Sequence, residues 1–203
     1  TLRSSAAWEA LAPLGQSLGL QLMQAPAGMP TGRPPREINP QEVPIQAGSV
    51  MAVPMAWGDL DFSAVGTVTD VRPDGRVLAF GHAMFGEGRS ALPMASGYVH
   101  YIVPGLVTSF KLGGSAVIRG SIIRDESSAI VGTPAQRFGS SPVQVAIAMP
   151  DQPRRTYQYR VVEHPMLTPI ATAIHTMESL QAESAPPPKN TTRLQAELRF
   201  AGN

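Results

Sequence analysis

The sequence predicts a mainly β protein: a closed or nearly closed β-barrel with a short N-terminal helical segment before it and one amphipathic helix after it. Three observations carry this. Between residues 43 and 162, short β-branched runs are divided by Gly, Pro and Asp, a spacing that suits many short antiparallel strands better than a parallel sheet. Within that stretch, Arg72-Pro-Asp-Gly75 puts proline at the second turn position and glycine where φ must be positive, so runs 65–71 and 76–80 form a hairpin. Beyond residue 163 the apolar period becomes helical, with Leu167, Ile170, Ile174 and Met177 at i, i+3, i+7 and i+10.

Taken in order, residues 5–23 carry Trp8, Leu11, Leu14, Leu18 and Leu20 near helical spacing, but Pro13 and two glycines limit them to one or two short helices. Residues 25–44 are rich in Pro and Gly and read as an extended arm. Residues 1–44 are thus a helical segment and arm, ahead of a barrel domain at 45–163. Strands are expected at 49–55, 65–71, 76–80, 98–103, 116–123, 129–132, 143–148 and 156–162, the last two joined around Pro150-Asp-Gln-Pro153. The helix follows at 164–184, with Pro165 and Pro169 in its first turns, where a missing N–H costs least. Ala185-Pro-Pro-Pro188 is a stiff spacer. Leu194, Ala196, Leu198 and Phe200 then alternate with polar residues, so 185–203 read as a linker and a strand leading to a further domain. Such a strand needs a partner sheet.

Composition narrows the function. At 203 residues the chain can bury one sizeable core. Lys+Arg 16 nearly balance Asp+Glu 15, scattered without a basic stripe, which argues against nucleic acid as a partner. With no cysteine, disulfides, thiolate metal sites and cysteine nucleophiles are excluded together. No apolar run approaches the roughly 20 residues of a membrane-spanning helix. A first residue of Thr1 makes the chain read as a piece of a larger protein.

The chemistry-bearing stretch runs from Gly66 to Gly88, where a strand ends in Gly81-His82-Ala-Met-Phe-Gly-Glu-Gly88. Gly58-Asp-Leu, Gly66-Thr-Val-Thr, Val77-Leu-Ala-Phe-Gly-His82-Ala-Met, Ser109-Phe-Lys-Leu-Gly113 and Gly120-Ser-Ile-Ile-Arg-Asp125 leading to Ile130-Val-Gly132 occur in that order. Together these blocks, over roughly residues 45–169, resemble the core of the SpoIVB-type serine peptidase family. They are closer to the large envelope or exported bacterial homologues than to the sporulation peptidase. The resemblance implies a chymotrypsin-like β-barrel, a triad in the order His, Asp, Ser, and a periplasmic, cell-envelope or secreted location. His82 matches the family's histidine, although the following position, usually proline, is Ala83. The family's serine lies in a Gly-x-Ser-Gly-x-Pro loop well downstream, and this chain has no such loop.

A histidine works as a general base only with a hydroxyl in hydrogen-bond reach and a third group to orient it. Asp125 followed by Gly139-Ser140-Ser141-Pro142 preserves the triad order, so Ser140, Ser141 or a serine outside this chain is a candidate nucleophile; Ser96 is a weaker one. The competing reading has His82 bonding a neighbouring carbonyl and holding its loop in shape. Asp59 and Asp61 suit turn capping better than an acid pair. His100, His164 and His175 lack ligand spacing with His82, so neither a metal nor a cofactor is expected. Phe110-Lys-Leu-Gly-Gly114 is either an anion cradle of backbone N–H groups or a glycine turn between strands. Met84, Phe85 and Met94 line a peptide groove or pack in the core. The expectation is a catalytically incomplete peptidase-like module that binds protein or peptide segments or supports assembly. The alternatives are a serine endopeptidase with His82 as base and a purely structural envelope unit.

Overall fold

The computed structural model describes residues 13, 16, 39, 42–104, 110–149, 152–183 and 193–199. The expected N-terminal helical segment lies outside them apart from Pro13 and Gln16, both helical, and the arm at 25–41 lies outside them apart from Asn39. The protein is mainly β: β1 (Val50–Gly58), β2 (Phe62–Val71), β3 (Val77–Ala79), β4 (Gly88–Val103), β5 (Phe110–Glu126), β6 (Ala129–Thr133), β7 (Ser140–Ile147) and β8 (Arg155–Val162) precede one helix, α1 (Leu167–Glu183).

All strand pairs are antiparallel. Their order is β2-β3-β6-β5-β4-β1-β8-β7, and β2 also pairs with β1, so the first six strands form a closed cycle of pairings. Within it, β4-β1-β2-β3 has the spatial order of a Greek key. β1 is the seam of the sheet. On one side it pairs with β2; on the other, Met51 and Ala52 face β4 while Ala56, Trp57 and Gly58 face β8. Pro54 sits at this change of partner, next to the register shift against β2, where a residue without an N–H interrupts the ladder least.

The β2–β3 turn is built as its sequence requires: the Gly75 amide donates to the Arg72 carbonyl at 2.9 Å, and Gly75 has φ 81°. β4 and β5 are longer than the sequence implies, at 16 and 17 residues. Gly113 and Gly114, read as a turn between strands, lie inside this hairpin, as do Pro93 and Gly97, and four register shifts let it bend without breaking. Phe110–Gly114 is therefore neither a turn nor an anion cradle. A side chain at Gly113 would overlap the Tyr98 carbonyl oxygen of the opposite strand, so glycine there permits the close approach of two backbones.

The core gathers Met51, Val53, Val68, Leu92, Met94, Ile122, Ile130 and Val161, and α1 closes it from the side of β1, β7 and β8. The helix buries Leu167, Ala171, Ile174, His175 and Ser179. Ile170 and Met177, expected on the core face, are only partly buried at its margin. Residues 193–199 carry no strand pairing, contrary to the strand expected there, and Leu194 and Leu198 are 74% and 72% exposed.

His175 gives the fold a pH dependence. Its ring stacks edge-on to Tyr159 at 4.8 Å and its Nδ1–H donates to the Ala171 carbonyl at 3.0 Å. Burial pushes its pKa down to about 4 from the usual 6.5. The unfolded chain therefore binds more protons between those values, and folding loses stability as pH falls from 6.5 towards 4. The loss from this group is on the order of 3 kcal/mol. Chemical denaturation at stepped pH is expected to show a shallower decline in this window for His175→Leu than for the unaltered chain.

Candidate functional site

The loop 81–87 that follows β3 displays His82. Phe80 leads into it with φ 73°, rare for a bulky residue, and Gly81 follows at φ 74°. The reversal lays the Phe80 ring over β2 against Gly66, where any side chain would overlap the ring carbons. Gly66 is thus the partner that makes the Phe80 geometry possible. Beyond the reversal His82 is exposed.

Three amides of this loop converge on one carboxylate. Met84 N–H donates to Asp125 Oδ1 at 2.7 Å, while Phe85 and Gly86 N–H donate to Oδ2 at 2.6 Å and 2.8 Å. Asp125 is only 3% exposed and lies near the end of β5, opposite Gly88 and Ile130. A buried carboxylate is tolerated where charge-assisted hydrogen bonds replace its water, and these three do so. A second clamp holds the far end of the loop. His164 Nδ1 accepts the Met166 and Leu167 amides at the start of α1, so the proton sits on Nε2 and is donated to Glu87 at 3.0 Å. The ring is therefore neutral and acts as a helix cap as well as a tether.

His82 is not part of either clamp. Its Nδ1 lies 2.7 Å from the Ala83 carbonyl oxygen, an acceptor only, so Nδ1 carries the proton and the lone pair is on Nε2. Among the described residues no carboxylate is hydrogen-bonded to the ring. Asp125, the acid in the expected triad order, spends both oxygens on backbone amides.

The candidate serines are committed elsewhere. Ser140 and Ser141 open β7, paired with Val162 and Val161 of β8. Ser140 Oγ accepts from Arg160 Nε at 2.9 Å, and Ser141 Oγ donates to Glu163 Oε1 at 2.9 Å. Neither has His82 as a partner, and a regular ladder position lacks the sharp turn that exposes a nucleophile. Ser96 is wholly buried and bonds the Val117 carbonyl. Asp59, just after β1, is held against the middle of β8, its carboxylate accepting the Gln158 amide at 2.8 Å. Asp61 accepts from Ser115 Oγ instead of joining Asp59, and burial raises its pKa. Nearby, Tyr98 is pushed up to about 12 by burial and by the Asp61 charge, and it stacks on His100 at 4.7 Å.

Met84 and Phe85 are partly buried against the core with Met94 inside it, so they pack rather than line a groove. Among the described residues no group of three or more His, Asp or Glu is placed to hold a metal ion, and no helix is long and apolar enough to cross a membrane. Sequence reasoning missed the Asp125 and His164 clamps. The signal for Asp125 was an acidic residue at the end of a hydrophobic strand facing a glycine-rich loop; His164 offered a histidine at the start of a helix.

Removing the clamp is expected to loosen the loop before the sheet. Asp125→Ala leaves three amides without their acceptor and should cost about 2–4 kcal/mol in denaturant unfolding. Amide exchange at Met84, Phe85 and Gly86 should accelerate well beyond that of β4 and β5.

Comparison with protein-family models, with curated proteins and with solved structures gives no match to this chain.

Proposed function

We propose that this chain is a SpoIVB-peptidase-like barrel domain of a larger exported or envelope bacterial protein. In this reading it is catalytically incomplete and serves as a protein-binding or assembly module. The observation that carries it is the use of Asp125: the carboxylate available to orient His82 instead holds the amides of Met84, Phe85 and Gly86. A triad needs that carboxylate on the histidine, because it fixes the tautomer and stabilises the imidazolium formed in the reaction. The engagement of Ser140 with Arg160 and of Ser141 with Glu163 supports the same conclusion. The closed cycle β1-β2-β3-β6-β5-β4 and its Greek-key order support a small barrel of the peptidase kind.

A second reading has one observation in its favour. The Ala83 carbonyl holds the Nδ1–H of His82, which leaves the Nε2 lone pair as a base facing outward. In that reading a serine outside this chain completes a serine endopeptidase.

Fluorophosphonate labelling separates the two. No adduct is expected on the isolated chain, and His82→Ala should behave identically. Labelling of Ser140 or Ser141 that disappears in His82→Ala would sink the incomplete-peptidase reading. Labelling that requires the flanking protein, and is lost in His82→Ala, would establish the second.

A further inference from the structure

One strand of the sheet has a single neighbour. The cycle of pairings links β1 to β6, and β8 is held between β1 and β7, so β7 is the one described strand with a single neighbour throughout, whereas β4 and β5 are paired on both sides only in part. Native edges are ordinarily blunted by charged side chains, bulges, short length or a covering element. β7 has little of this. Its sequence, Ser-Ser-Pro-Val-Gln-Val-Ala-Ile, contains no charge, and its eight residues pair with β8 in unbroken register. Pro142 is its one interruption, and 143–147 beyond it are free of proline.

The same chain carries a strand-like segment without a sheet. Leu194, Ala196 and Leu198 alternate with Arg193, Gln195, Glu197 and Arg199, the pattern of a strand with one apolar face. Among the described residues Leu194 and Leu198 are the most exposed large apolar ones, at 74% and 72%, and 193–199 carry no strand pairing. Between α1 and this segment the sequence places three consecutive prolines, Pro186 to Pro188. Such a run favours extended polyproline geometry, about 3.1 Å per residue, and resists folding back on its own domain.

We infer that residues 193–199 add as a strand to the β7 edge of a second copy of this chain, reciprocally, so that two copies form a closed two-fold pair. Backbone hydrogen bonds to 143–147 supply the pairing, and Leu194 and Leu198 leave water on the receiving sheet. Reciprocal exchange closes the assembly, whereas one-way addition would grow an open filament. The inference rests on the assembly reading above only in naming its partner, and it does not involve His82.

The test is the solution mass of the full chain by sedimentation and light scattering across about 1–300 μM, a range that brackets ordinary weak association. It is combined with amide exchange of β7 and 193–199. A reversible dimer is expected, with slowed exchange in both segments. Leu194→Asp with Leu198→Asp should raise the dissociation constant at least tenfold and restore fast exchange in both. As the tail is exposed, this variant leaves the fold intact. Gln144→Lys with Ala146→Lys, also at exposed positions, should weaken the dimer from the other side. A mixture of the two variants should recover a heterodimer, because one intact tail meets one intact edge. A monomeric chain with fast exchange in 193–199 overturns the inference, as does a dimer that survives the tail substitutions. A monomer with both segments protected also overturns it, in favour of pairing within one chain. If the chain is monomeric and still unlabelled by fluorophosphonate, this inference fails alone and the incomplete-peptidase reading stands.

Discussion

The Asp125 carboxylate is the interaction on which the rest of the site depends. It is buried at the end of β5, where an unpaired charge would be costly, and its three amide donors come from one short loop. The bargain is mutual: the loop amides have no ladder to join, and the carboxylate has no water. Because Gly88 opens β4 directly opposite Asp125, the loop is fixed relative to the strand that follows it. Glu87 then reaches His164 and ties the same loop to the start of α1. Asp125 and Glu87 together thereby set the geometry connecting β3, β4, β5 and the helix.

That arrangement also decides what His82 can do. Three of the roughly four acceptor positions of Asp125 are filled by loop amides, and His82 bonds the Ala83 carbonyl instead of this carboxylate. A backbone carbonyl takes the place of the carboxylate on Nδ1. A carbonyl fixes the tautomer equally well, but it carries no charge to stabilise an imidazolium. The difference lies in the charged state of the ring, the state through which acyl transfer must pass. Strain at Phe80 is compensated by ring contact over Gly66 and by the clamps downstream, so it serves the loop's shape.

Much of the fold was legible in the sequence because its signals are local. The Arg72–Gly75 turn, the change of period after residue 163 and the β-branched runs each declare themselves within a few residues. The long β4–β5 hairpin was not legible, because Gly97, Gly113 and Gly114 signal a break in a lone segment and a close approach once a second strand lies alongside. The site was partly legible. His82 was found from its glycines, but the clamp on its loop was not, since Asp125 is about 40 residues from the amides it holds and meets them only after β4 and β5 have paired. His164 and His175 show the same limit. Identical side chains cap a helix in one place and fill a core in the other, and only the packing around them separates the two.

Closure of the first six strands also explains why the remaining edge matters. Among the described strands β7 alone has a single neighbour throughout, while β5 is paired on one side only over residues 110–120. β7 and β8 are appended through only the last three residues of β1, Ala56 to Gly58, and α1 supports them by covering one face. The helix can bury the side chains of that face, but it cannot satisfy the outward backbone groups of the last strand. Those groups need water or another strand.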